Sequence, residues 1–492
     1  MMTSLIELLF CLCAFLIWHI SCDKTEESDA KIVKIHSKNL AEYEELIGLA
    51  RKFQVDVWNR PSDANFTVWA AVDEDDEDFL KALDKIPIPF DILFENKAAY
   101  LALVNYTQPK LDLASDASSI KPVRPSLFKR YYRYTEYLSI IKSWADEFQS
   151  MYLISIGKSF EGRVIPAVVI NRESQMDIAS VDGDQDGDGD YDDDDVDGTD
   201  DSKISHQDGI TGSHDRNRNR NNRQPNRRPP NNECKTVVIE CGLHAREWAS
   251  PASCLYLIHF LATTNSPIFK RYQFHIIPIA NPDGYAYTWS RVRGARLWRK
   301  NRSKRAGVSC IGVDLNRNFN IDWCKIGSSR NPCKENYCGP KPNSEPETRS
   351  LVNYYKKLDS EPGECTLLYF TIHSYGQWIL WPYGFTKNPP KNLELLETVG
   401  QEAINRVNRN IGRRLYRGGQ TAQAYKYASS GGSDDWVYSR GFADIAITFE
   451  TRDNGQYGFL LPPELIVPAA QDAKIAIEAI LEKRETMFDG KG

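Results

Sequence analysis

The sequence predicts an α/β protein whose main sheet carries helices on both faces, preceded by a small α+β open-faced sandwich. Two patterns predict this. Beyond Tyr131, short apolar runs at Val237 to Glu240, Phe274 to Ile279, Leu367 to His373 and Ile445 to Phe449 alternate with long helical segments, the order that builds a sheet covered on both sides. Ahead of them, residues 31–94 read as strand, helix, strand, strand, helix, strand. At 492 residues, 41% hydrophobic and 26% charged, the chain has the composition of a multidomain globular protein, which excludes collagen-like, coiled-coil and multi-span membrane classes.

In chain order, Leu5 to Ile20 is an apolar run of signal-peptide length, shorter than a spanning helix needs. Residues 1–22 are therefore expected to be a cleaved signal peptide, with a membrane anchor as the competing reading because Glu7 interrupts the run and no basic residue precedes it. Residues 23–110 hold the sandwich: Leu40, Tyr43, Leu46, Ile47, Ala50 and Phe53 recur at helical spacing, Phe66 to Val72 reads as a strand, and the acidic run Asp73 to Asp78 suits the positive end of a second helix. Residues 111–130 form a linker with Lys121-Pro122, Arg124-Pro125 and Lys129-Arg130. Residues 131–492 are the α/β body, into which 176–233 is inserted, an Asp/Gly run followed by an Arg/Asn run too poor in apolar groups to order itself. Asp182, Asp184, Asp186, Gly187 and Asp193 imitate a calcium loop, yet no flanking helices are evident, and flexible solvated acid is the preferred reading. The arginines neutralise the adjacent acid more plausibly than they bind nucleic acid.

The formal net charge of -6 is segmented: -1 over residues 1–22, -5 over 23–130, 0 over 131–175, -9 over 176–233 and +9 over 234–492. Three of eleven cysteines, Cys11, Cys13 and Cys22, belong to the expected signal; the other eight lie between Cys234 and Cys365. An even count without Cys-x-x-Cys spacing reads as disulfides in an oxidising compartment rather than a zinc-cysteine cluster. Sequons stand at Asn65, Asn105 and Asn301.

Chemistry gathers at strand ends. Gly-Leu-His244-Ala-Arg-Glu247-Trp follows one predicted strand, and an imidazole and a carboxylate three residues apart can fill two positions of a tetrahedral zinc site. A second strand ends at His373, a third ligand that leaves the fourth position open, and a third ends at Glu450. Ligands in open α/β sheets bind at such ends.

With these motifs, and with Arg296-Leu-Trp-Arg299-Lys, Val313-Asp314-Leu-Asn316-Arg317-Asn, His373-Ser-Tyr375, Tyr427 followed by Ser430-Gly-Gly-Ser-Asp434-Asp435-Trp, and Phe449-Glu450-Thr-Arg452-Asp, the chain resembles the pancreatic carboxypeptidase A/B family of zinc metallocarboxypeptidases in zymogen form. The resemblance implies a mixed central sheet and an inhibitory prodomain over 23–110, released by an activating protease at Lys110 or Lys129-Arg130. It implies one Zn2+ per chain on His244, Glu247 and His373, acting as a Lewis acid on the scissile carbonyl. Glu450 would accept and pass on the proton. Arg299 would stabilise the oxyanion, a contribution of about 3 kcal/mol. Asn316, Arg317 and Tyr427 would clasp the terminal carboxylate, Arg246 would line the approach, and Asp314 would orient His244.

At the pocket bottom the family has an apolar residue or an acid; here Asp434 implies removal of C-terminal Lys or Arg. Gly384 and Ala422 depart from the basic-specific lining, and Lys426 either points to solvent or neutralises Asp434. The resemblance also implies disulfides Cys241–Cys254, Cys310–Cys333 and Cys324–Cys338. It leaves Cys234 and Cys365 near the starts of neighbouring strands as a fourth pair. The expected partners are peptide or protein C-termini, with no nucleic acid and no membrane once the signal is removed. The expected location is secreted or within the secretory lumen, a vacuolar or storage compartment included. A catalytically inactive binding relative is the alternative; loss of a ligand, of Glu450 or of the clasp would mark it, and none is lost.

Overall fold

The computed structural model describes residues 30–58, 66–73, 76–95, 125–171, 234–292, 294–360 and 365–488. Residues 1–22, Asn65, Asn105, Lys110 and the 176–233 segment lie outside the described residues.

Residues 30–95 follow the expected order: β1 Lys31–Ser37, α1 Leu40–Phe53, β2 Asp56–Val57, β3 Phe66–Val72, α2 Glu77–Leu83 and β4 Phe90–Phe94. Asn39 starts α1, its side-chain oxygen accepting from the Glu42 N–H at 3.0 Å, and Gln54 ends it in the left-handed conformation. The strands pair antiparallel in the order β2-β3-β1-β4. Side chains alternate across that sheet. Val33, Ile35, Val68, Ala70 and Val72 face Tyr43, Leu46, Ile47, Phe79 and Leu83 of the helices. On the opposite face, Ile32, Trp58 and Ala71 pack against Leu297, Tyr375, Phe459 and Leu460 of the α/β body. The face that an open sandwich would leave bare is thus covered by the body.

The body sheet contains β5 Met151–Lys158, β6 Val164–Ile170, β7 Thr236–Cys241, β8 Gln273–Ile277, β9 Thr366–His373, β10 Trp378–Trp381, β11 Arg417–Gln420 and β12 Ala443–Glu450. Their order is β11-β10-β12-β9-β7-β8-β6-β5. Neighbours β12, β9, β7 and β8 run parallel, as do β10 and β11, while β5, β6 and the β10–β12 pair are antiparallel, so the sheet is mixed as expected. All six residues of β7 are buried, which requires cover on both faces. Its alternation shows what covers each. Cys241 is disulfide-bonded to Cys254 of α4 Ala249–Thr263, whereas Glu240 on the other face accepts from Tyr355 of α5 Pro346–Ser360 and Ser433 of α7 Ser433–Ser439. Helices α3 Tyr134–Glu147, α6 Leu393–Ile411 and α8 Ile466–Phe488 complete the layers.

All four cysteine pairs form, including Cys234–Cys365 across 131 residues. That pair ties the starts of β7 and β9; closing a loop of this length contributes on the order of 4 to 5 kcal/mol in the chain-entropy view. The Asn301 sequon is corrected by the fold. Asn301 is fully buried and its amide donates to Glu345 at 2.8 Å and Glu347 at 2.9 Å, leaving no room for a glycan in the folded chain. Among the described residues no helix is long and apolar enough to cross a membrane.

Candidate active site

Three neighbouring parallel strands deliver the ionisable groups to one edge of the sheet. His244 and Glu247 follow the end of β7, His373 is the last residue of β9 and Glu450 the last of β12, where it lies opposite His373 in the ladder. The sharp exit from β7 uses Gly242 at φ 69, where an added Cβ would press on Pro251, Ile279 and Pro278. Buried Ser250 steadies the same turn, its hydroxyl accepting from the Gly242 N–H at 3.0 Å.

The resulting donor set is buried and convergent. His244 Nδ1 lies 2.7 Å from Glu247 Oε1, His373 Nδ1 lies 3.0 Å from Glu247 Oε2, and the two Nδ1 atoms are 3.2 Å apart. Ligand atoms arranged tetrahedrally at zinc distances stand about 3.3 Å apart, so two imidazole nitrogens and a carboxylate with these spacings fit Zn2+. Behind them Asp314 Oδ1 sits 3.2 Å from His244 Nε2, as expected of a carboxylate that fixes the ring's orientation. Burial alone would raise the Asp314 carboxyl; the charges of Arg299 and His244 outweigh it and hold the group well below the usual range. Glu247 is likewise held low, by His244 and His373 against the effect of burial.

Arg299 donates to Asp314 at 3.0 Å and lies 3.8 Å from Glu247, so its guanidinium is held at the donor set's edge. Asn316 and Arg317 sit beside it on a short turn whose N–H groups are fixed by Asp314: the side chain accepts from Asn316 N at 3.0 Å and its carbonyl from Arg317 N at 2.9 Å. The 430–433 loop closes over this turn. Gly431, at φ 79, passes so near that a Cβ would stand 2.3 Å from the Arg317 carbonyl oxygen, and Asn316 Oδ1 accepts from Ser433 N at 2.9 Å. Asp434 follows, accepting from Thr448 at 2.8 Å. A cavity of about 130 Å³ is lined by His244, Arg246, Glu247, Arg299, Asn316, Arg317, His373, Asp434 and Glu450 together.

Tyr427 lines a cavity together with Arg299 and Arg317. Its ring also packs against the core of residues 33–88 with Arg51 over it at 4.9 Å, and Gln54 and Asp56 line the same cavity. Lys426 is exposed. Gly384 also has a reason to be glycine: its N–H donates to Asp435 at 2.9 Å, and a Cβ there would stand 3.2 Å from that carboxylate.

The roles of three residues are not anticipated by the sequence. Asp435 accepts from Gly384 and Phe385, anchoring the loop after β10, and its carboxyl is pushed far up by burial and by the adjacent Asp434. Glu240 is an acid in an otherwise apolar strand, a visible signal; burial raises it and Tyr355 and Thr371 donate to it beneath the site. Tyr425 places its hydroxyl 3.4 Å from Glu450 Oε1, and its ring packs edge-on against Trp378.

Arg246 does not stand open. It is 1% exposed, lies 4.3 Å over the Phe459 ring and donates to Asp56 of the N-terminal unit. Two further contacts cross the same boundary: Lys334 with Asp76, and Ser329 donating to Gln54 at 2.6 Å.

A profile described as zinc carboxypeptidase matches residues 137–476. Carboxypeptidase O of Homo sapiens is 41% identical over 260 residues, 52% of this chain and 67% of that protein. Carboxypeptidase B of Bos taurus is 40% identical over 257 residues, 51% of this chain and 59% of that protein. The matched regions thus span roughly three fifths to two thirds of these relatives. Among solved structures, thrombin activatable fibrinolysis inhibitor is similar with a TM-score of 0.66 at 27% identity, covering 92% of this chain and 98% of its own. Carboxypeptidase A of Helicoverpa armigera shares the fold, with a TM-score of 0.68 at 24% identity, covering 93% and 98%.

Proposed function

The chain belongs to the zinc carboxypeptidase family, and from that premise we propose that it hydrolyses the C-terminal peptide bond of peptides and proteins, releases Lys or Arg, and is made as a latent precursor. The observation that carries the basic preference is Asp434, which lines the same cavity as the donor set, 9% exposed and hydrogen-bonded to Thr448. A Lys or Arg side chain entering from the substrate would find its counter-charge there; an apolar side chain would leave the carboxylate desolvated and unpaired.

His244, Glu247 and His373 would hold the metal, which when bound supplies Lewis-acid polarisation of the scissile carbonyl. The remaining steps fall to side chains. Glu450 accepts a proton from the attacking water and returns it to the leaving amine. Arg299, steadied by Asp314, offers a fixed positive charge to the developing oxyanion. Arg317, with Asn316 beside it, receives the free carboxylate and confines cleavage to the chain end. Tyr427, which lines a cavity with Arg317, completes that clasp.

Latency rests on residues 30–95. Their sheet face covers Tyr375 and Phe459, Trp58 lines the active cavity, and Asp56 occupies Arg246. Lys129 and Arg130 are both exposed, which suits them to a trypsin-like activating protease. The four disulfides fit a secretory location.

The deciding experiment treats the purified chain with trypsin and measures chelator-sensitive kcat/KM on peptides ending in Arg, Lys, Phe and Leu. Preference for Arg and Lys is expected; preference for Phe would overturn the specificity, and absence of chelator-sensitive release would overturn the activity.

A further inference from the structure

We propose that the groove between the C-terminal half of α6 and the edge strand β11 is a binding site for a sulfated polysaccharide. Arg409, Arg413, Arg414 and Arg417 line this groove of about 1220 Å³, which shares no lining residue with the active cavity.

Local structure brings the four arginines to one groove. Helix α6 ends at Ile411, and Gly412 takes the left-handed C-cap at φ 74, its N–H bonding to the Asn408 and Arg409 carbonyls. Arg413 and Arg414 therefore leave the helix at its negative end, where cations are favoured. Asn408 folds the chain back: its side chain accepts from Leu415 N and Tyr416 N at 2.8 Å each and donates to Tyr416 O at 2.8 Å. Arg417 then opens β11, which pairs only with β10, and lies over the Trp378 ring at 3.9 Å.

The charge balance is one-sided. Glu402 is the only acid in the lining, and it is already shared by Arg406 and Arg409. Arg413 and Arg414 are exposed, and among the described residues neither side chain has an ion-pair partner. Guanidinium forks match oxyanions two-pronged, and the lining runs along the helix from Gln401 to Arg409, about 12 Å, and continues past its end through Arg413, Arg414 and Arg417, so a linear polyanion fits better than a single ion.

The lining also selects among polyanions. Tyr416 and Ile404 are buried and Leu415 is half-buried, so no exposed aromatic is present to anchor a protein partner or stack a base. The amides of Gln401 and Asn405 suit sugar hydroxyls.

The test uses the full chain on immobilised heparin and in solution with a heparin oligosaccharide, beside Arg413→Glu/Arg414→Glu, the milder Arg413→Gln/Arg414→Gln, and a charge-matched control, Lys270→Glu/Lys356→Glu. A fourth variant replaces the six arginines of residues 216–228 by Gln. Either groove variant should elute at lower salt and bind about tenfold or more weakly, with hydrolysis of a short peptide unchanged. The lysine control and the 216–228 variant should retain most affinity. Unchanged elution of both groove variants overturns the proposal. So does an equal shift in the lysine control, loss of binding only in the 216–228 variant, or competition by polyglutamate or DNA as effective as by the sulfated chain.

Discussion

Arg246 and Asp56 form a two-pronged pair at 2.8 and 3.1 Å, joining a residue between the candidate metal ligands His244 and Glu247 to the N-terminal unit. Burial would lower the guanidinium's pKa, but Asp56 outweighs it and holds the charge firmly in place. Asp56→Ala should leave that buried charge only the more distant Glu335, 3.9 Å away, a penalty of up to about 3 to 5 kcal/mol shared between loosened docking and local strain. The uncleaved variant is expected to hydrolyse a short C-terminal Arg peptide at least about tenfold faster than the uncleaved wild type. Equal rates in a steady-state assay would remove Asp56 from latency.

Salt should matter little to that docking. The opposed charges of -5 and +9 suggest a contact that high salt loosens, but the pairs that form are screened from solvent: Arg246 with Asp56, and Lys334 with Asp76 at 8% and 5% exposure. Buried pairs are screened far less than exposed ones. Raising NaCl from about 0.1 to 1 M is expected to change uncleaved activity less than twofold. A tenfold rise would return the interface to long-range attraction.

Asp434→Ala should lower kcat/KM for C-terminal Arg by about 100-fold or more while moving Phe substrates by less than tenfold, because only the cationic side chain loses a desolvated partner. The neighbouring Asp435 serves differently, holding Gly384 and Phe385. Asp435→Ala strands those N–H groups and should destabilise the fold by about 1 to 3 kcal/mol. Thermal unfolding of both variants separates the roles: Asp434→Ala should keep its Tm.

Removing the metal should be reversible. Dialysis against a strong chelator is expected to abolish hydrolysis, and one equivalent of Zn2+ to restore it. Asp314→Asn, which alters the partner of His244 Nε2, should weaken zinc affinity about 10- to 100-fold. Competition with a chromophoric chelator reads this without any assay of activity.

Much of this site was legible because its members break the local pattern. His244, Glu247, His373 and Glu450 are ionisable groups at the ends of apolar runs, and strand ends are where such groups can meet. What stayed hidden depends on side-chain direction and burial. Tyr425 reaches Glu450 only because β10 pairs antiparallel with β12 and sets Trp378 beside it. The Asn301 sequon carries no information about the pocket that encloses it. That Tyr427 packs its ring against the N-terminal core while lining a cavity with Arg317 has no signal in the motif that contains it.

Glu347 predicts a pH dependence away from the active site. Burial, with Glu345 nearby, raises its carboxyl to about 7 although Phe160 N and Asn301 donate to it. The folded pKa lies above the unfolded one, so the folded state binds more protons between about pH 4.5 and 7 and this group's contribution to stability is lost as pH rises through that window. The loss by pH 8 is on the order of 3 kcal/mol. Glu347→Gln should flatten that part of the stability profile in urea unfolding at pH 5 and 8. An unchanged slope would place the dependence on another group.

Tyr425 and Tyr427 should separate kinetically after activation. Tyr425 lies 3.4 Å from Glu450 Oε1, so Tyr425→Phe is expected to lower kcat, by about three- to tenfold, with KM nearly constant, the signature of an interaction felt in the transition state. Tyr427 has Arg51 over its ring and lines a cavity with Arg317, and in the proposed function it binds the free carboxylate of the substrate once the N-terminal unit is cleaved away. Tyr427→Phe should then raise KM for free-acid substrates while leaving the uncleaved chain's residual rate unaltered. If Tyr427→Phe instead lowers kcat alone, the two tyrosines exchange roles, and Tyr425 becomes a packing residue beneath Trp378.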